Sequence, residues 1–172
     1  MIRLNKILLF SMILFLCLDI DTAMAKENEI QEYKANDYTL SIGYEKLEND
    51  CNLIISIKSK LQDSLSIYQS DLPWGSRYSM IIIVAKLDAS GTVLDQSLYI
   101  DDPSPNVVTM KYGESLTGKI SLKTRFHDIL TVLKTKQVII FWSYQLKSLN
   151  NKSTERLGGW LIIPKKGQNI RR

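Results

Sequence analysis

The chain has 172 residues, enough for one domain of ordinary size, and its 45% hydrophobic and 23% charged content with only 4 Pro and 8 Gly excludes a collagenous or linker-dominated polymer. One histidine, His127, and two cysteines, Cys17 and Cys51, leave too few ligands for the usual zinc sites and too few thiols for a disulfide framework, so neither metal nor cofactor is expected. Between Lys26 and Pro164 the 16 Lys+Arg balance 16 Asp+Glu; the formal charge of +4 sits in Lys165, Lys166, Arg171 and Arg172, and no basic stripe marks a nucleic-acid surface.

Arg3 and Lys6 open the chain, Ile7 to Leu18 form an apolar run broken only by Ser11, and Ala23-Met24-Ala25 follows with small residues where a signal peptidase reads. A membrane span needs about 20 apolar residues. This run is shorter and ends at Asp19 and Asp21, so the pattern predicts a secretory signal over 1–25, cleaved between Ala25 and Lys26. The rival reading is a lipid-modified Cys17, but Leu14-Phe15-Leu16 puts bulky residues where that motif wants a small one. The expected product is periplasmic or secreted, without a transmembrane segment. It keeps Cys51 alone, so no internal disulfide can form and stability must come from packing. At the front of an apolar alternation and beside Asp50, Cys51 is expected to be a buried, unreactive thiol.

Residues 26–36 are polar without an apolar period and read as a flexible lead-in or a short turn of helix, ahead of a folded unit over 37–164 and a basic tail over 165–172. Tyr38, Leu40, Ile42 and Tyr44 alternate with small polar residues as in a half-buried strand, and Glu48-Asn49-Asp50 turns the chain into a second, Leu53, Ile55, Ile57. Leu65 and Ile67 suggest a third. After the aperiodic stretch Asp71 to Arg77, the run from Tyr78 to Leu87 with Ile81, Ile82, Ile83 and Val84 suits a strand covered on both sides. Asp88-Ala89-Ser90-Gly91 is a turn, and Thr92 to Leu98 the expected return strand. Asp101 to Asn106 form a proline-stiffened loop. Val107 to Met110, then Leu116, Ile120 and Leu122, continue the β pattern.

Phe126, Ile129, Leu130 and Leu133 have helical spacing, so a short helix is expected near 125–134. Val138, Ile140, Trp142, Tyr144 and Leu146 alternate over nine positions and Leu157 to Ile163 close the pattern before Pro164. About eight short strands with turn signals between them predict an all-β, antiparallel β-sandwich. A closed barrel is the other all-β reading of the same pattern.

Through Tyr68 to Gly75, Phe141 to Tyr144 and Gly158 to Pro164 the chain resembles small exported bacterial proteins of unknown function, a likeness that implies no activity. Through Asp88 to Leu98 and Gly113-Glu114-Ser115-Leu116-Thr117-Gly118 it is similar to the immunoglobulin-like domain of bacterial intracellular proteinase inhibitors. That resemblance implies an immunoglobulin-like sandwich. It carries over no reactive loop.

Catalysis finds few candidates. His127 is the only imidazole, and adjacent residues on a helix diverge, so Asp128 cannot simply orient it. Asp95, Asp101 and Asp102 match no calcium loop and read as turn residues, although paired carboxylates keep a glycosidase-type enzyme as the lowest-ranked alternative. Asn151-Lys152-Ser153 matches a glycosylation pattern too short to carry a function. The aromatics are the better guide to binding. Trp142 shares an apolar face and is expected in the core; Trp160, after Gly158-Gly159, is expected to pack in the core or at an edge.

Trp74 lies in an aperiodic loop with Asp71, Arg77 and Tyr78 around it, which makes these four the candidate partner-binding residues. The competing reading folds Trp74 back as a plug closing one end of the sandwich, with Arg77 paired to Asp71. The expectation is therefore an exported, non-catalytic binding module whose partner is another exported or envelope protein, inhibitor-like or immunity-like functions included. A glycan-binding module stacking sugars on the loop aromatics is the alternative.

Overall fold

The computed structural model describes residues 30–97, 105–149 and 153–167; residues 1–29 with Ala23, Ala25 and Lys26, the Asp101-Asp102 pair, Asn151 and the last five residues lie outside them. Nine strands are formed among the described residues: β1 (Gln31–Lys34), β2 (Tyr38–Lys46), β3 (Cys51–Ser59), β4 (Leu65–Tyr68), β5 (Met80–Lys86), β6 (Val107–Met110), β7 (Ser115–Ser121), β8 (Val138–Lys147) and β9 (Ser153–Ile163). Two short helices, α1 (Leu122–Arg125) and α2 (Ile129–Leu133), complete them. The fold is all-β, and every strand pairing is antiparallel.

Three sheets result, ordered β1-β2-β3-β7, β4-β6 and β5-β8-β9. The hairpin β2–β3 runs in register from Tyr38 opposite Ser59 to Lys46 opposite Cys51, closed where the Leu47 amide donates to the Asp50 carbonyl at 2.9 Å. Because strand side chains alternate, this register puts Leu40, Ile42, Leu53, Ile55 and Ile57 on one buried face. Met80, Ile82, Val84, Ile140, Trp142, Tyr144 and Leu161 from β5-β8-β9 join the same core, with Leu65, Ile67 and Met110 from the two-stranded sheet and Phe126, Ile129 and Leu133 from the helical segment.

Aromatic contacts tie the two larger sheets together. Tyr33 of β1 meets Trp142 of β8 edge to face at 4.6 Å, and Tyr38 of β2 meets Tyr144 at 6.2 Å. The Tyr38 hydroxyl also donates to the Glu155 carbonyl of β9 at 3.0 Å. Gly159 permits the closest approach: a Cβ there would lie 2.6–2.7 Å from the Tyr33 ring and hydroxyl.

Four local expectations are revised. Gln31–Lys34 is an edge strand paired to β2, where the sequence read a lead-in; its backbone is satisfied by the neighbouring strand although its residues show no apolar period. Thr92 onward gives a single bridge, Val93 to Ala85, in place of a return strand, because the Gln96 side chain takes over the bond to the Ile82 carbonyl at 2.6 Å. The helical region is two pieces. Ser121 caps the first by accepting from the Thr124 amide, and the chain is extended at Phe126 before α2 begins. Finally, β5 is covered on one side only, since Ile81 and Ile83 are 54% and 44% exposed.

Candidate functional site

The loop between β4 and β5 carries the four residues that the sequence singles out, and it is fastened at many points. A 3-10 turn over Gln69–Asp71 starts it. The Gly75 amide donates to the Leu72 carbonyl at 2.8 Å, and the Ser79 hydroxyl donates to the carbonyls of Pro73 and Ser76 at 3.0 and 2.7 Å. The Tyr144 hydroxyl reaches out of the core to the Asp71 carbonyl at 3.0 Å. Buried Arg125 donates to the carbonyls of Met80 and Arg77, closing the far end of the loop on α1.

Within this frame Asp71 approaches Lys147 at 3.6 Å, and the Arg77 guanidinium donates to Gln96 Oε1 at 3.3 Å. Trp74 is half-buried and packs against the core, its indole lying over Gly118 of β7, where a Cβ would come within 2.1–2.4 Å of the ring. Tyr78 is the outlier at 79% exposed. The four residues therefore share a loop but not a surface. Trp74 and Arg77 form one wall of an open groove whose other wall is Lys119, Ser121, Thr124 and Arg125, while Tyr78 projects to solvent ahead of β5. Lys119 in that groove pairs with Glu45 at 2.9 Å.

A second surface was not singled out by the sequence. On the outward face of β5-β8-β9, Ile83 lies opposite Phe141, and Phe141 lies opposite Trp160. Phe141 and Trp160 are 44% and 53% exposed, and Ile139 and Ile162, opposite one another, are half-buried on the same side. Of the two places expected for Trp160, core or edge, the structure gives the edge strand β9, on its outward side, since Leu161 and Ile163 point inward and an adjacent residue must point out. The signal was present in the sequence as apolar residues on both parities of three strands, but that pattern equally describes a strand buried on two sides.

Burial holds the inner thiol and phenols in their neutral forms. Burial pushes the Cys51 thiol up to about 12, against a smaller opposing pull from Lys46, so the thiol is inert at neutral pH. Tyr38 is pushed up to about 12 by the same cause, and Tyr144 also rises, through burial and then the neighbouring Tyr38 and Asp71. At the surface, Asp88 is held below the usual carboxylate range by hydrogen bonds from Lys136 and Ser90.

The buried tyrosines set an alkaline limit on stability. Below pH 10 both folded and unfolded chains keep the phenolic protons; above it the unfolded chain releases them and the folded chain does not, so stability falls as pH rises from 10 towards 12. Melting temperatures measured from pH 7 to 12 should begin to fall near pH 9, where the unfolded chain starts to release the Cys51 proton that the folded chain keeps, and drop more steeply above pH 10 as the two phenols join it. The Tyr38→Phe, Tyr144→Phe double variant should show a shallower drop. An identical alkaline profile for the variant would contradict the assignment.

Of the remaining candidates, His127 and Asp128 are both exposed on the turn before α2. Among the described residues no group of three or more His, Cys, Asp or Glu side chains is placed to hold a metal ion, and no helix is long and apolar enough to cross a membrane. No family model, curated protein or solved structure matches this chain.

Proposed function

We propose that the protein is an exported, non-catalytic binding module of immunoglobulin-like sandwich build, and that it docks another exported or envelope protein through the outward face of β5-β8-β9. The order β2-β3-β7 opposite β5-β8-β9, with β4 and β6 paired separately, supports the sandwich part of the reading. One observation carries the binding part: the cross-strand row Ile83, Phe141, Trp160 leaves two large aromatics and a β-branched residue about half exposed side by side. Exposed apolar residues scattered singly are ordinary, whereas a contiguous row marks a contact surface, and tryptophan is the side chain most enriched at the energetic centres of interfaces.

Tyr78, exposed two residues ahead of β5, and Arg77 and Asp71 belong to the loop that leads into this sheet. Trp74 contributes by holding that loop on Gly118. Inhibition of a secreted enzyme is one form such docking takes. A glycan partner is the second reading, supported by the register that sets Phe141 and Trp160 opposite each other as a stacking platform.

The test uses protein expressed with its own leader, tagged at the C-terminus and used to capture companions from envelope extract. The wild type and the Phe141→Ser, Trp160→Ser double variant should melt alike, while the companion protein is retained about tenfold less by the variant. Equal recovery by both proteins would remove the face from the reading. Release of the companion by soluble envelope glycans would shift the reading to carbohydrate.

A further inference from the structure

The dimensions and charge of the same face restrict what can sit on it; this inference rests on the binding-module reading. Three strands have outer axes about 10 Å apart, and the seven residues of β5 span about 23 Å, giving a plane of roughly 230 Å². A stable association between two folded proteins covers about 800 Å² on each partner, so the face is too small to hold a second copy of this chain by itself. It does match one α-helix, which is about 10 Å across and covers about 22 Å in four turns.

Charge points the same way. The outward positions of β5 and β8, and of β9 from Arg156 onward, carry two cations, Lys147 and Arg156, and no carboxylate; exposed Glu155 sits at the irregularity where β9 shifts register against Gln145 and Lys147. Lys147 has Asp71 at 3.6 Å. Arg156 lies along the sheet with neutral acceptors, Ser143 Oγ at 3.3 Å and Gln145 Oε1 at 3.2 Å, two positions along β9 from Gly158 and four from Trp160. Packed face to face, a second copy would set the same two cations, Lys147 and Arg156, against this one. We infer that the partner seats a single amphipathic α-helix on the face, its apolar stripe over Ile83, Phe141 and Trp160, with an aspartate or glutamate at one end meeting Arg156.

The probes are two 18-residue amphipathic peptides with the same leucine stripe, one carrying glutamates and the other lysines at the end of the stripe. Binding is followed by tryptophan fluorescence and by NMR shifts of the full protein. The glutamate peptide should bind about fivefold tighter than the lysine peptide. Arg156→Gln should abolish that preference, and Trp160→Ala should weaken both peptides at least tenfold, with melting temperatures unchanged in each variant. Equal binding of the two peptides, or no binding of either at about 1 mM, overturns the inference. So does tighter binding to phosphatidylglycerol vesicles than to either peptide, or a dimer in sedimentation that Trp160→Ala dissolves. Failure here while companion capture still depends on Phe141 and Trp160 removes the helix and keeps the docking face; loss of both removes the face.

Discussion

Trp142→Ala is expected to cost about 3–5 kcal/mol and to lower the melting temperature by about 10 °C or more. The indole is 3% exposed at the middle of β8, opposite Ile82 on one side and Gly159 on the other. It also takes the edge of Tyr33 from the facing sheet, and Tyr33 in turn covers Gly159, so truncation leaves a void that several elements border. A rigid β framework cannot collapse into a space of that size without losing strand register. Against a total stability of about 5–15 kcal/mol, the change is large. Trp160→Ala, on the neighbouring strand but on the outward face of the sheet, serves as the internal comparison and should lie within about 0.5 kcal/mol of the wild type. Thermal melts followed by circular dichroism read both. A drop of less than about 1 kcal/mol for Trp142→Ala would mean that the two sheets do not share the core described above.

Gly75→Ala comes next, at about 3 kcal/mol. A Cβ at Gly75 would stand 1.8 Å from the carbonyl oxygen of Gln69 and 2.8 Å from its carbon, and 3.0 Å from the carbonyl carbon of Ser70. Those atoms are backbone. No rotamer change relieves the clash, so the turn over Gln69–Asp71 must open, and the fastening of Asp71 by Tyr144 opens with it. Trp74 would then leave Gly118. The expected signature is a combined loss of melting temperature and a shift of Trp74 emission towards that of exposed indole, measured in a Trp160→Phe background with the Trp142 contribution subtracted by means of a Trp74→Phe reference. Unchanged emission and stability would show that the loop does not fold back on itself at Gly75.

Both predictions bear on how the fold was written in the chain. Where one face of a strand is apolar and the other polar, periodicity alone placed the element and its inward side: Leu53, Ile55 and Ile57 in β3, and Val138, Ile140, Trp142, Tyr144 and Leu146 in β8, are all buried. Strand β1 left no such trace, because Gln31, Glu32, Tyr33 and Lys34 contain one apolar ring among polar residues, and the partner backbone of β2 supplies what their side chains do not. The candidate loop was legible as a break in the pattern. Its internal arrangement was not, since whether Trp74 faces Gly118 or solvent depends on a residue more than forty positions later in the chain.

The sequence by itself determined the β class, the inward side of each amphipathic strand, and the scarcity of histidine and cysteine. These follow from composition and from a period of two, both local properties. Only the tertiary structure decided that Ile81, Ile83, Phe141 and Trp160 stand on an open face. Apolar residues on both sides of a strand record that each side avoids water or awaits a partner; which of the two holds depends on what the rest of the chain packs there, and that is a property of strand order and not of any one segment.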